Sequence, residues 1–207
     1  MFKDRRDAGR QLAEELSKEG VQGDIVLAIP RGGLPLGRKV ADRLGIPLDI
    51  IVARKIGAPH NPELAIGAVG SDGTVWLNED MIESMETDDE YIERNKKLEE
   101  ENAREKAKRY RGDKPVPDLK EKDVIIVDDG VATGATATAC IRLAREAGAS
   151  KVILAVAVGS PETVESLEEE ADDVICVETP SYFRAVGQFY ESFGQVSDEE
   201  AMEYLEN

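Results

Sequence analysis

Apolar positions recur along this chain at two spacings. Residues 5–19 put Ala8, Leu12, Ala13 and Leu16 on one helical face, and residues 34–44 repeat that spacing until Gly45 stops it. Short continuous apolar runs at 24–29 and 48–53 read as buried strands, the first broken by Pro30-Arg31-Gly32-Gly33. Residues 54–63, which contain Gly57, Pro59 and Pro62, read as a loop. Strand-like runs at 65–69 and 74–77 follow, joined by the turn Ser71-Asp72-Gly73. Residues 88–112 are dense in Glu, Lys and Arg, with Tyr91, Leu98, Ala103 and Ala107 widely spaced. That pattern predicts an exposed helix supported by i,i+4 charge pairs, a solvated excursion rather than an oligomer contact.

Beyond Pro115 and Pro117 the pattern becomes regular. Apolar runs at 123–127, 151–158 and 173–177 alternate with helical stretches at 135–147 and 162–171. Strands alternating with helices predict βαβ units and a parallel sheet with right-handed crossovers. The expected organisation is one α/β domain over 1–207, with a helical insertion at 78–122 and a small C-terminal hood at 178–207. A length of 207 residues suits one substantial core.

Charge narrows the field. The chain carries 26 Lys plus Arg against 43 Asp plus Glu, a net charge of −17. Nucleic acid and anionic membrane are poor partners for such a balance. The distribution is uneven: residues 1–77 carry a net +1, whereas 160–207 hold one basic and 14 acidic side chains. An anionic ligand is therefore expected to meet the first half. Cys140 and Cys176 each sit in an apolar stretch and read as buried reduced thiols. The first residues are charged and helical in pattern without a signal-peptide core, and the longest apolar run, 152–158, is too short to span a bilayer, so a cytoplasmic protein is expected.

The segment that carries chemistry is VIIVDDGVATGAT, residues 124–136. A strongly apolar strand ends in Asp128 and Asp129, and a Gly/Thr loop then opens a helix. In a parallel sheet, ligands bind beyond the carboxyl ends of the strands. A loop entering a helix there offers backbone N–H groups to an anion, and the hydroxyls of Thr133 and Thr136 add donors. This makes a phosphate cradle without the lysine of a nucleoside-triphosphate loop. A plain strand-to-helix turn would not need the two adjacent acids.

The same segment resembles the phosphoribosyl pyrophosphate signature of type I phosphoribosyltransferases over thirteen contiguous positions, and the whole chain resembles the branch named predicted phosphoribosyltransferases. The resemblance implies a Mg²⁺-dependent transfer of ribose 5-phosphate from phosphoribosyl pyrophosphate to a nitrogen nucleophile such as a nucleobase, with release of diphosphate. It implies ribose hydroxyls on Asp128 and Asp129, and the 5′-phosphate on Ala132, Thr133, Gly134, Ala135 and Thr136. The diphosphate falls on Arg31, Gly32 and Gly33, in a loop that in this family often holds a non-proline cis peptide, a rare feature elsewhere. Mg²⁺ is expected at Asp128 and Asp129, partly through substrate and water. Arg54 and Lys55 fall where the family places a mobile catalytic loop, so they are candidate cations for the leaving diphosphate, and His60 and Glu63 are further candidates nearby.

Half of the ten aromatic residues lie between 182 and 193. Tyr182 and Phe183 fall where family members stack a base, whereas Phe189, Tyr190 and Phe193 are expected to pack a terminal helix onto the core. Ala132 stands where the 6-oxopurine branch carries an acid, which disfavours hypoxanthine or guanine as the acceptor. Dimers are common in the family, so a homodimer is also implied. A non-catalytic sensor of phosphoribosyl pyrophosphate is the alternative, and a phosphatase using Asp128 fits the spacing of acids poorly.

Overall fold

The computed structural model describes residues 1–206, with Glu63 described by its backbone alone. Helix α1 (Arg5–Lys18) opens on Asp4, whose carboxylate accepts from the Asp7 N–H at 2.8 Å. It buries the predicted stripe of Ala8, Leu12, Ala13 and Leu16. Strand β1 (Ile25–Ala28) leads through the 30–33 loop into α2 (Leu34–Leu44), which ends at Gly45 with φ 69°. Only glycine adopts that conformation cheaply. Strand β2 (Leu48–Ile50) follows, and then β3 (Ala53–Ala58), β4 (Asn61–Gly70) and β5 (Val75–Leu77) form an antiparallel sheet in the order β3-β4-β5. Helices α3 (Glu79–Ser84) and α4 (Asp89–Arg111) complete the insertion.

The second half restores alternation: β6 (Asp123–Asp128), α5 (Ala135–Glu146), β7 (Lys151–Val158), α6 (Pro161–Glu168) and β8 (Asp173–Glu178). A 3₁₀ turn at Val186–Phe189 and helix α7 (Asp198–Glu206) end the chain. The five-stranded sheet is wholly parallel in the order β2-β1-β6-β7-β8, with Leu27 paired to Ile126 and Ile126 to Leu154. This is the expected α/β architecture.

Both faces of that sheet are covered, which is why its strands read as unbroken apolar runs. On one face Leu27, Val124, Ile126, Val152 and Leu154 meet Cys140, Ile141 and Ala144 of α5 and Leu167 of α6. On the other, Val26, Ile125, Val127 and Ile153 meet Leu12 and Leu16 of α1 and Leu36 and Val40 of α2. Ile125 and Ile126 are fully buried, and truncating either to alanine is expected to cost about 2–5 kcal/mol. Cys140 is buried and Cys176 half-buried, both as free thiols. Burial pushes both up, Cys176 to about 11, so both stay protonated near neutral pH. Among the described residues no helix is long and apolar enough to cross a membrane.

Three expectations need correction. Residues 54–63, read as loop, are strand at 54–58 and again from 61, with only a tight turn between. Gly57 lies at a bulge in the β3–β4 ladder, where a Cβ would come within 2.6 Å of the Pro62 carbonyl oxygen, so the glycine and prolines mark a distorted hairpin. Helix α4 is not a solvated excursion. It buries Ile92, Ala103, Ala107, Tyr110 and Arg111, and Arg111 donates to the Asp49 carboxylate at 2.8 Å and the Ile50 carbonyl at 2.9 Å. Finally, Phe189, Tyr190 and Phe193 precede the terminal helix rather than packing it. Tyr190 is buried against Phe2, 5.3 Å between ring centroids, and Phe193 lies 4.9 Å from Tyr190. Helix α7 docks through Ala201, Met202 and Leu205 instead.

Candidate active site

Most of the helices are closed at the N-terminus by a side chain: α1 by Asp4, α3 by Asn78, α4 by Asp88, α6 by Ser160 and α7 by Ser197. Helices α2 and α5 are not. They begin at Gly33 and Gly134, which carry no capping side chain, and both starts lie at the carboxyl end of the parallel sheet. Gly134 has φ 73°, and Thr163 of α6 donates to the Ala132 carbonyl at 2.8 Å, fixing the loop between them. Ala132, Thr133, Ala135 and Thr136 remain exposed around the start of α5, as a phosphate cradle requires.

Asp128 ends β6 and Asp129 follows it, beside the 30–33 loop, where the Pro30–Arg31 peptide is cis. The contact is close: a Cβ on Gly32 would collide with the Asp129 carboxylate, and one on Gly33 with the Val127 carbonyl oxygen. Only two glycines let this loop lie against the end of β6. The cavity between loop and strand measures about 400 Å³ and is lined by Arg31, Gly32, Asp128, Asp129 and Thr136, which the sequence singled out.

Arg5, Lys106, Gln195 and Val196 also line it, and the sequence reading missed all four. Arg5 donates from Nε to Asp129 Oδ2 at 2.7 Å and from Nη1 to the Gly194 carbonyl at 2.5 Å, and its guanidinium lies 3.9 Å from the Phe193 ring centroid. Tyr190 donates its hydroxyl to the Asp129 carbonyl at 2.6 Å. Asp129 is therefore held from both its side chain and its backbone. Burial raises the pKa of both acids, well above the usual carboxylate range for Asp128, where the neighbouring Asp129 adds repulsion. The guanidinium of Arg5 offsets part of that cost at Asp129.

A second cleft of about 610 Å³ adjoins the first through Pro30, Arg31 and Lys106, and Arg54, Arg109 and Asp198 line it further out. Arg54 is paired with Glu99 at 2.8 Å. Lys55 is exposed and lines neither cleft, and His60 sits at the exposed turn of the β3–β4 hairpin. The side chain of Glu63 lies outside the described residues. Tyr182 is 61% exposed with the Arg184 guanidinium 5.0 Å from its ring, and Phe183 stacks on Phe189 at 5.4 Å. Neither lines the cavity at Asp128.

The family described as "Phosphoribosyl transferase domain" matches residues 2–193. Two Mycobacterium tuberculosis proteins, from strains CDC 1551 and H37Rv and provisionally named phosphoribosyl transferases, are each 44% identical over 209 aligned positions. The alignments cover all of this chain and 46% of each relative, so the chain spans less than half the length of these curated proteins. A uracil phosphoribosyltransferase of Lactobacillus gasseri matches locally, 34% identical over 84 residues and 40% of either chain. Among solved structures, the Thermus thermophilus protein TT1426 superposes with a TM-score of 0.92 at 42% identity, covering 99% of this chain and 97% of that one. A parallel sheet carrying paired acids at a strand end and a family match over most of its length lead to one conclusion: the chain belongs to the phosphoribosyl transferase domain family.

Proposed function

We propose that this protein transfers the ribose 5-phosphate of phosphoribosyl pyrophosphate to a nitrogen nucleophile and releases diphosphate. The observation that carries the reading is the pair Asp128 and Asp129, facing a cavity enclosed by the Gly32 loop and the uncapped start of α5. Buried carboxylates with raised pKa values gain most from partners that supply hydrogen-bond donors, and two vicinal ribose hydroxyls do so. The cradle at 132–136 takes the 5′-phosphate, and the backbone of Gly32 and Gly33 with the Arg31 guanidinium takes the diphosphate. Departure of diphosphate from C1 develops positive charge on the sugar, so the residues' tasks are to align the nucleophile, hold the leaving group and exclude water.

The donor set suits Mg²⁺. Among the described residues no group of three or more His, Cys, Asp or Glu could hold a metal alone. The carboxylates of Asp128 and Asp129 offer hard oxygen atoms to a cation that takes its other ligands from substrate and water. Such an ion supplies charge neutralisation at the departing diphosphate. The local match to a uracil phosphoribosyltransferase supports a nucleobase as the acceptor class. Within the β3 cation pair, Arg54 lines the outer cleft and is the better placed for the diphosphate.

Calorimetry with phosphoribosyl pyrophosphate, followed by assay of diphosphate release with a panel of nucleobases and amines, tests the reading. Binding with release in the presence of one acceptor is the expected result. Binding without release for any acceptor would replace the enzyme with a sensor, and absence of binding would remove both.

A further inference from the structure

The first residues of the chain are stitched to the stretch that precedes α7. Phe2 is fully buried and bridges in parallel to Tyr190. Its N–H donates to the Phe189 carbonyl at 2.8 Å, and the N–H groups of Glu191 and Ser192 donate to the carbonyls of Phe2 and Lys3 at 2.9 and 3.0 Å. Arg5 comes next, as the first residue of α1. A cation there stands at the positive end of the helix dipole, the unfavourable end for it. Its side chain is nevertheless only 13% exposed. Neither water nor the helix accounts for where this guanidinium lies.

Its contacts do. The guanidinium joins three groups that are distant in the chain: the Asp129 carboxylate through Nε, the Gly194 carbonyl through Nη1 and the Phe193 ring through its face. Among the described residues Asp129 forms a single ion pair, and Arg5 is its partner. A carboxylate on a short side chain past a strand end can still turn about its own bonds. The planar guanidinium restrains that rotation, because its other contacts already fix its own plane. Gln195 and Val196, which follow Gly194, line the cavity with Asp129 and Arg5. One side chain thus ties an acid of the site to the segment that forms part of the same wall.

The geometry points to Arg5 as a positioning residue of the donor site. It holds the Asp129 carboxylate in the orientation in which that acid meets a ligand hydroxyl, and it fixes the 193–196 segment to the same acid. The inference rests on the phosphoribosyltransferase reading for the identity of the ligand, a ribose carrying vicinal hydroxyls, and not for the contacts themselves. Arg5 acts through Asp129, and a small misplacement of a group that orients a reacting sugar is costly.

A double-mutant cycle of Arg5→Ala and Asp129→Asn, read by calorimetry of the full chain with phosphoribosyl pyrophosphate, tests this role. Arg5→Ala is expected to weaken the donor about tenfold. In the Asp129→Asn background the same change should weaken it by less than about twofold, because no carboxylate is left to orient. Arg10→Ala, on the exposed side of α1, should leave the affinity unchanged. Arg5→Lys serves should the alanine variant fold poorly by circular dichroism. It keeps a cation for Asp129 without the fork that also reaches Gly194, so a loss of about threefold is expected, again absent beside Asp129→Asn. A folded Arg5 variant that binds the donor as the wild type does would overturn the proposal. Equal losses in both backgrounds would overturn it too, since they would mark a general loosening of the N-terminal residues. A wild-type protein that ignores phosphoribosyl pyrophosphate would instead remove the functional reading, and the ribose role of Arg5 with it.

Discussion

Asp128 and Gly32 reach the cavity on short side chains and backbone, carried there by strands whose apolar residues are buried on both sheet faces. Lys106, Arg31 and Arg109 reach the adjoining cleft on long flexible side chains, from a helix and a loop tied to each other by ion pairs through Asp198 and a single 3.3 Å hydrogen bond. The inner wall has geometry set by the core. The outer wall has charge held in place by charge. The proposed function would set the sugar against the precise wall and the diphosphate against the adaptable one.

The sharpest way to break this comparison is at Asp128. Asp128→Asn is expected to weaken phosphoribosyl pyrophosphate on the order of a hundredfold, because the proposed charge-assisted hydrogen bond to a ribose hydroxyl is lost. The free protein should nevertheless melt higher at neutral pH. A carboxyl whose folded pKa is raised contributes stability below its unfolded pKa and loses that contribution as pH rises through the folded value. The wild type thus carries a penalty at neutral pH that the asparagine variant lacks, and the gap in Tm should shrink as pH falls toward the ordinary carboxylate range. A Tm difference independent of pH would show that Asp128 is not destabilised where it stands.

Arg5→Ala tests the side-chain support of the inner wall. It leaves the Asp129 carboxylate, whose side chain is 13% exposed, without its cation, and should cost about 3 kcal/mol in urea denaturation. Gly32→Ala tests the backbone support. The added methyl meets Asp129, so a loss of about 1–3 kcal/mol is expected together with loss of donor binding. An alanine variant of full stability would mean that the loop yields, and that the inner wall is no stiffer than the outer. The smallest effect belongs to the outer wall: Asp198→Ala releases Arg31 and Arg109 from their internal anion and should tighten inorganic diphosphate about threefold by calorimetry.

The inner wall was legible in the sequence because its determinants are contiguous. Residues 124–136 carry strand, acids and cradle in one stretch, and Pro30-Arg31-Gly32-Gly33 carries the facing loop in four residues. The outer wall is assembled from residues far apart in the chain. Even within the inner wall, nothing local connects Arg5 to Asp129, 124 positions away, because the sequence marks Arg5 only as the start of a helix. Lys106 left a fainter trace: Asn102, Lys106 and Arg109 recur at i, i+4 and i+7 beside Ala103 and Ala107, a polar face flanking an apolar one, which overall charge density obscured. Strand β3 was misread because Gly57 and Pro62 were counted as breakers, although together they make a bulge.

Helix α4 rests on two separate supports. Its first turns place Ile92 in the small cluster of Ile56, Ala58 and Ile66 under the hairpin, and Tyr91 donates to the Gly57 carbonyl at 3.0 Å. Its last turns place Ala103, Ala107 and Tyr110 against β1, β2 and α7. Amide hydrogens of the hairpin, guarded by so small a set of buried apolar residues, should therefore exchange with deuterium through local openings. Those of β6 and β7 should wait for global unfolding. The first turns of α4 should therefore loosen with the hairpin, while the turns that carry Lys106 stay with the core.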